Sequence, residues 1–223
     1  MKARISEVFD SIQGEGLYFG EKQIFVRFFG CNLSCRFCDT KLDRFREYDP
    51  EELINEIDTY EDSYHSISFT GGEPLLHKEF LSKVLRLTHQ AGFKNYLETN
   101  GTLPGELESV IDGIDIVAMD LKLPSSTGMG DLWGLHKKFL KIASAKDVFL
   151  KAIICQGTSE DDLKQALEVI KSVNGSAMLV LQPNSFENNQ TLIEKLENFK
   201  NLCRDEQVSA CIIPQMHKVM GVK

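Results

Sequence analysis

Short apolar runs alternate with amphipathic stretches along most of the 223-residue chain. The runs are rich in Ile, Val, Phe and Leu, as is typical of buried β-strands. They cover residues 24–29, 66–70, 95–99, 115–121, 148–155, 177–182 and 209–213. Helical spacing of apolar residues recurs near 50–60, 77–91, 104–112, 134–145, 159–172 and 190–206. Because strands that alternate with helices indicate parallel βαβ units, we predict one α/β domain over residues 1–223, built as a closed or partly closed (β/α) barrel.

Polar and glycine-rich segments begin where the predicted strands end. These segments are GCNLSCRFCDT (30–40), TGGEP (70–74), ETNGT (98–102), DLKLPSS (120–126), CQGTS (155–159), LQPNS (181–185) and PQMH (214–217). Barrels and open α/β enzymes carry their active sites on the loops that follow parallel strands. Any one segment can be an ordinary turn. Seven segments at one rim, one of them with three cysteines, predict cofactor sites at the C-terminal ends of the strands.

The net charge of the chain and the lengths of its apolar stretches exclude some classes of protein. The formal net charge is -8, whereas a surface that binds nucleic acid needs an excess of Lys and Arg, so we expect no nucleic-acid partner. No apolar stretch has the length of a signal-peptide core or a membrane span, which predicts a cytoplasmic protein without a membrane partner. Cys155, Cys203 and Cys211 lie in apolar or helical patterns, and we expect them in the core rather than in disulfides.

The remaining cysteines, Cys31, Cys35 and Cys38, form a CxxxCxxC motif within one polar loop. Three thiolates at this spacing can bind three irons of a cubane cluster, which leaves the fourth iron open to the amine and carboxylate of a small molecule. Phe37 can then lie against a purine. The alternatives are a structural zinc site completed by a distant His or Cys, a redox pair, or unliganded thiols.

The motif resembles that of the radical S-adenosylmethionine (SAM) enzymes. CNLSCRFC (31–38) has their cysteine pattern, and TGGEP (70–74) is similar to their second signature, a glycine-rich turn that approaches the SAM amine. The resemblance implies a shortened radical SAM barrel with a 4Fe-4S cluster at which SAM is bound. In that superfamily, one electron from the reduced cluster cleaves SAM, and the resulting radical abstracts a hydrogen atom from the substrate.

A narrower resemblance covers nearly the whole chain. FDSIQGEG (9–16), FVRFFGCNLSC (25–35), CDT (38–40) and the C-terminal QMHKVMGVK (215–223) resemble the 7-carboxy-7-deazaguanine synthases of queuosine biosynthesis, which provides a precursor for tRNA modification. That family contracts the ring of 6-carboxy-5,6,7,8-tetrahydropterin with loss of ammonia, assisted by Mg²⁺. The resemblance implies a carbon–nitrogen lyase that is a homodimer and takes electrons from an external donor such as flavodoxin. Phe37 is a departure, because many relatives carry Trp there.

The resemblance assigns substrate contacts to residues on several of the rim segments. Gln13 offers a donor and an acceptor to the pterin edge, Glu15 accepts from its amino groups, and Arg27 provides a planar fork for a carboxylate. Arg27 can instead be a surface arginine, and the last residue, Lys223, can be a solvated terminus. The predicted substrate residues are Ile12, Gln13, Gly14, Glu15, Arg27, Thr70 and Lys223.

Cofactor contacts follow from the same resemblance. Thr40 matches the magnesium ligand, since Mg²⁺ prefers hard oxygen atoms. The predicted SAM contacts are Phe37, Cys38, Asp39, Gly72, Asp120, Leu121, Lys122, Gln182, Pro183, Asn184 and Ser185. Each of these, taken singly, can also be a strand-end residue that satisfies turn backbone. The small polar loop at residues 124–131 can be part of a lid or a plain connector.

Two other functions are compatible with some of the same motifs. A radical SAM activase that acts on a partner protein would share both signatures, but it needs no reader of a pterin edge, so SIQGEG (11–16) and Arg27 argue against it. A binding module that holds a cluster or zinc without catalysis would not need the glycine-rich turn. Iron content and oxygen sensitivity separate that module from an enzyme.

Overall fold

The computed structural model describes residues 1–40, 43–187, 189–216, 218 and 221. Its strands are β1 (Ala3–Ile12), β2 (Lys22–Phe28), β3 (Arg46–Tyr48), β4 (Ser66–Gly71), β5 (Asn95–Thr99), β6 (Ile116–Asp120), β7 (Asp147–Ile154), β8 (Leu179–Pro183) and β9 (Ala210–Ile212). Its α-helices are α1 (Pro50–Ile57), α2 (Lys78–Gln90), α3 (Pro104–Glu108), α4 (Pro124–Thr127), α5 (Trp133–Ala143), α6 (Glu160–Asn174) and α7 (Gln190–Asp205). In the described part of the chain, none of the helices is long and apolar enough to span a bilayer.

The nine strands of the described chain form one open sheet in the order β3-β1-β2-β4-β5-β6-β7-β8-β9. Strand β1 pairs antiparallel with both β2 and β3. From β2 to β9 every neighbouring pair is parallel. Because β3 and β9 are the two edges, the sheet is a partial barrel rather than a closed one. The parallel strands bring their C-terminal ends, and the segments that follow them, to one rim.

The apolar pattern predicted the parallel part of the sheet. Its seven runs correspond to β2 and β4–β9, and the six helix candidates correspond to α1, α2, α3, α5, α6 and α7. The pattern missed β1, whose sequence ARISEVFDSI mixes charged and apolar residues. It also missed β3 and α4, which are too short to show a period. The 124–131 loop is packed at its start, because Ser126 and Thr127 of α4 are buried.

The two faces of the sheet differ in polarity. One face packs under the helices in a large apolar core that includes Val26, Phe69, Leu97, Val117 and Leu181. The intervening residues point to the inner face, because successive side chains of a strand alternate between faces. Near the N-terminal ends of the strands the inner face carries a small apolar cluster that includes Tyr96, Phe149 and Val180.

The segment between β1 and β2 covers this small cluster. The Tyr18 ring packs edge-on against Tyr96, with 5.7 Å between centroids, and its hydroxyl hydrogen-bonds to Asp147. Gly16 has φ +68°, and a Cβ there would lie 2.5 Å from the Phe149 ring. Glycine at this position therefore lets the segment close the lower part of the inner face. The inner face stays accessible at the C-terminal rim.

Candidate active site

A cavity of about 570 Å³ lies at the C-terminal rim of the inner face. We call it the rim cavity. Nineteen of the predicted site residues line it: Ile12, Gln13, Gly14, Glu15, Arg27, Cys31, Cys35, Phe37, Cys38, Asp39, Thr40, Thr70, Gly72, Asp120, Lys122, Gln182, Pro183, Asn184 and Ser185. The structure thus brings residues from six separate segments together in the rim cavity. Their individual roles stay predictions.

Two predicted residues are not among the lining residues. Leu121 is buried in the apolar core, and its backbone N–H donates to the Lys151 carbonyl at 2.7 Å. Its predicted SAM contact therefore cannot come from a side chain in the cavity. Lys223 lies outside the described residues.

The wall of the rim cavity is a set of polar side chains, one from each of six neighbouring parallel strands. We call it the inner polar ring. It consists of Arg27, Thr70, Glu98, Asp120, Lys151 and Gln182. Strand pairing sets their order, because Arg27 lies opposite Thr70 and Asp120 lies opposite Lys151. Charged side chains thus project inward from strands whose other face is apolar.

The cysteine loop presents three thiols to this cavity. Cys31 and Cys38 are exposed, Cys35 is half-buried, and none of them forms a disulfide. Burial raises the pKa of Cys35, and Asp120 and the thiols of Cys31 and Cys38 act in the same direction. Lys122 acts in the opposite direction on Cys35 and favours the thiolate, the form that binds iron.

The donor set of three thiols on one loop suits a cubane cluster. In the described ranges, no group of three His, Cys, Asp or Glu side chains is placed to hold one metal ion. A cubane spreads its thiolates over separate irons, so its ligands do not need to converge on one point. Cys155 and Cys203 are buried as expected, while Cys211 is partly exposed.

The TGGEP turn packs its backbone against the backbone of the cysteine loop. The Gly72 N–H donates to the Phe28 carbonyl at 3.0 Å, and the Glu73 N–H donates to the Gly30 carbonyl at 2.9 Å. A Cβ on Gly72 would lie 1.8 Å from the Gly30 oxygen. The sequence predicts glycine at position 72 because the backbone there approaches a ligand closely. The structure adds a different reason, since the missing Cβ lets the turn reach the cysteine loop.

Glu73 is fully buried under this turn. Its carboxylate accepts hydrogen bonds from the Leu75 N–H (3.1 Å), the Thr99 hydroxyl (2.9 Å) and the Asn100 N–H (2.8 Å). Burial raises the pKa of Glu73 to about 7, although these hydrogen bonds act to lower it. The Asn100 side chain also donates to the Cys31 sulfur at 3.8 Å. Glu73 therefore ties the end of β5 to the cysteine loop.

The Gln13 carboxamide is used within the protein. Its nitrogen donates to Gln23 (3.0 Å) and Glu98 (2.9 Å), and its oxygen accepts from the Glu15 N–H (3.0 Å). The Thr70 hydroxyl donates to the second oxygen of Glu98 at 2.7 Å. This differs from the expectation that Gln13 offers a free donor and acceptor to a pterin. The carboxamide instead holds Glu98, which faces the cavity.

Charge pairs hold two further predicted substrate residues. Arg27 donates to Glu7 at 2.7 Å and lies 5.6 Å from the centre of the Phe9 ring, so it is a cavity residue with a partner rather than a surface arginine. Glu15 accepts from Lys151 at 2.7 Å. Burial alone would raise the pKa of Glu15, but Lys151 lowers it to about 2. Glu15 is therefore a carboxylate at neutral pH.

On the opposite side of the cavity, Lys122 donates to Asp120 at 2.7 Å, and its ammonium lies 5.6 Å from the centre of the Phe37 ring. Gln182 is fully buried and faces the cavity beside Glu15, whose pKa its side chain helps to lower. An amide has two donor and two acceptor positions, so it can also hydrogen-bond to a bound molecule. These side chains fit SAM, with an aromatic face and a polar edge.

The described part of the C-terminal tail crosses the mouth of the cavity. The Met216 N–H donates to the Gly14 carbonyl at 2.9 Å, and Gln215 donates to Glu15 at 2.6 Å. Lys218 donates to Asp39 and to Ser185, the latter at 2.6 Å. The tail thereby joins both sides of the cavity.

Comparisons with known proteins agree with this geometry. The sequence model of the radical SAM superfamily matches residues 25–196. A 7-carboxy-7-deazaguanine synthase of Geobacter sulfurreducens is 35% identical over 98% of this chain and 97% of its own length. One from Archaeoglobus fulgidus is 35% identical over 100% of both chains. The chain belongs to the 7-carboxy-7-deazaguanine synthase family of radical SAM enzymes. Membership of the superfamily implies a 4Fe-4S cluster and SAM.

Two solved structures share the fold. A crystal structure of QueE from Escherichia coli matches with a TM-score of 0.68 and 20% identity, covering 95% of this chain and 94% of that one. Streptococcus suis SuiB bound to S-adenosylmethionine matches with a TM-score of 0.57 and 16% identity, over 82% of this chain and 48% of that one. At these identities the likeness concerns the fold alone.

Lys151 is one of the cavity residues that sequence reasoning overlooked. It lies in the apolar run VFLKAIIC (148–155), as Arg27 lies in IFVRFF (24–29). The argument that a lone cation in a buried strand needs a partner applies to both residues. Glu98 was noted at the rim without a role, whereas the structure places it beside Gln13 and Thr70.

Proposed function

We propose that this chain converts 6-carboxy-5,6,7,8-tetrahydropterin to 7-carboxy-7-deazaguanine with loss of ammonia, using a 4Fe-4S cluster, SAM and Mg²⁺. The observation that carries the proposal is a single cavity lined both by three cysteine thiols and by a ring of paired charges. A volume of about 570 Å³ is within the range of pockets that enclose small-molecule ligands.

The lining divides into a cofactor half and a substrate half. Cys31, Cys35 and Cys38 would bind the cluster, and Phe37 and Gln182 would contact the SAM adenosine. When bound, cluster and SAM would supply a hydrogen-abstracting radical. The lining residues would hold the reactants in place and limit access of water.

The substrate half carries several charged side chains. Glu15 and Glu98 provide carboxylate oxygens that can accept from the amino and ring N–H groups of a pterin, and Arg27 can share its fork with a substrate carboxylate. Thr40 lines the cavity next to the third cysteine and is the proposed Mg²⁺ ligand together with substrate oxygens. The proposal includes a cytoplasmic homodimer, an external electron donor and a product that enters 7-deazapurine biosynthesis.

The test is an anaerobic assay of the protein reconstituted with iron and sulfide. Reductant, SAM, Mg²⁺ and 6-carboxytetrahydropterin are added, and products are identified by mass. We expect 7-carboxy-7-deazaguanine from the wild type and from the core variant Cys203→Ala, and none from Cys35→Ala. If SAM is cleaved but no 7-carboxy-7-deazaguanine forms, the proposed substrate is wrong. A zinc-containing protein that never cleaves SAM would contradict the whole proposal.

A further inference from the structure

Lys151 is a buried cation at the centre of the rim cavity. It lies on β7 in the inner polar ring and is 5% exposed. Its ammonium is 2.7 Å from Glu15 Oε2 and 3.6 Å from Asp120 Oδ1. Burying an ammonium is costly unless carboxylates surround it, so these two partners explain why the sheet tolerates a lysine here.

These ion pairs continue into a row of alternating positive and negative side chains along the cavity wall. Glu15 pairs with Lys151, Lys151 with Asp120, and Asp120 with Lys122, whose ammonium lies 2.7 Å from Asp120 Oδ2. This row of charges begins in the segment with the proposed substrate contacts and ends beside Phe37 in the cofactor half. Lys151 is the member that joins the two halves.

The Glu15 carboxylate is held by Lys151 on the sheet and by Gln215 of the C-terminal tail. It lies after the end of β1, outside any regular element, whereas Lys151 is fixed by strand pairing to β6 and β8. Burial alone would lower the pKa of Lys151, but Asp120 and Glu15 raise it well above the ordinary value. The sheet therefore supplies a permanent cation against which a loop carboxylate is held.

We propose that Lys151 is a positioning residue that holds the Glu15 carboxylate towards the pterin while Asp120 stays on the cofactor side. The inference rests on the proposed function, because it takes Glu15 as a pterin contact. It predicts that loss of the lysine affects the pterin far more than SAM, since Asp120 retains Lys122 as a partner at 2.7 Å.

The test measures the kcat and both KM values of the reconstituted Lys151→Met variant. We expect the KM for 6-carboxytetrahydropterin to rise about tenfold or more, and the KM for SAM to change by less than about threefold. Lys151→Arg keeps the cation and should recover part of the pterin KM. Lys171→Met is the matched control, since it removes an ion-paired lysine outside the cavity and should leave both KM values unchanged.

A general loss of structure would raise both KM values together, and that result would overturn the inference. Unchanged kinetics in Lys151→Met would do so too, while leaving the proposed function intact. If the wild type itself makes no deazaguanine, the proposed function fails and the inference fails with it.

If Lys151→Met does not fold, the double variant Glu15→Gln/Lys151→Met removes both charges of the pair. Two residues that act as one unit are not additive, so the double variant should raise the pterin KM no further than Glu15→Gln alone. If the double variant raises the pterin KM well beyond the value for Glu15→Gln alone, Lys151 acts independently of Glu15 and the inference is wrong.

Discussion

Glu15 and Glu73 are both buried carboxyl groups close to the rim cavity, yet they ionise in opposite ways. The pKa of Glu15 is lowered to about 2, whereas that of Glu73 is raised to about 7. Both are desolvated, and both accept several hydrogen bonds. What differs is a cation, because Lys151 lies 2.7 Å from Glu15, whereas the groups that hydrogen-bond to Glu73 are neutral N–H and O–H donors. A full charge in contact offsets desolvation, and neutral donors offset it only in part.

The surroundings of these two carboxyl groups are therefore held by different forces. Around Glu73, the cysteine loop is fixed by close backbone packing and neutral hydrogen bonds. Around Glu15, the substrate half is fixed by side-chain charge pairs. Under the proposed function, the ionised Glu15 would accept hydrogen bonds from the N–H groups of the pterin.

The largest effect is expected from Gly72→Ala. The added methyl group would lie 1.8 Å from the Gly30 carbonyl oxygen, so the turn and the cysteine loop must separate. We expect loss of cluster binding and a drop in the free energy of unfolding of about 3 kcal/mol or more. Iron content per chain and thermal unfolding measure both effects. Gly105→Ala, where a Cβ meets open space, is the control and should keep its iron.

The second prediction concerns the pH dependence of stability that Glu73 causes. Its pKa is raised in the folded protein, so its contribution is fully present below pH 4.5 and is lost as the pH rises to about 7. The free energy of unfolding should fall by about 3 kcal/mol from this source. His136, whose pKa burial lowers to about 4, causes the opposite slope. The wild type is therefore compared with Glu73→Gln by urea unfolding between these pH values, and equal slopes would contradict the prediction.

Glu15→Gln should have a smaller effect on stability than on substrate binding. Lys151 loses its closest partner but keeps Asp120 at 3.6 Å, so we expect a loss of about 2 kcal/mol. The loss relative to the wild type should stay constant between about pH 5.5 and about pH 7, because there Glu15 is ionised in the folded protein and in the unfolded chain alike. Chemical unfolding checks this, and a cost below that of Thr99→Val would contradict it.

Thr99→Val is expected to have the smallest effect. It removes the hydroxyl that donates to Glu73 at 2.9 Å and keeps the shape of the side chain, so the cost should be about 1 kcal/mol. The pKa of Glu73 should rise further, since one hydrogen bond to its charged form is lost. Thr59→Val, which removes an exposed hydroxyl hydrogen bond, is the control and should leave the pH dependence of stability unchanged.

Sequence alone predicted the parts of the molecule that have a period or a motif. The alternating apolar runs located β2 and β4–β9, and the CxxxCxxC and TGGEP signatures located the cavity. Partners across strands have no local pattern, since Glu15 and Lys151 are 136 positions apart. The use of the Gln13 carboxamide inside the protein, and the contact between Gly72 and Gly30, likewise depend on tertiary packing.

The central claim is that Lys151 keeps Glu15 ionised in the substrate half while Glu73 stays protonated beneath the cysteine loop up to about pH 7. The most direct test is a titration of the ¹³C-labelled glutamate carboxyl groups by NMR, with Glu15→Gln and Glu73→Gln used for assignment. We predict one signal that titrates near pH 7 and is missing from Glu73→Gln, and one that stays ionised at every pH where the protein is folded and is missing from Glu15→Gln. If both carboxyl groups titrate together near their ordinary value, the claim is wrong.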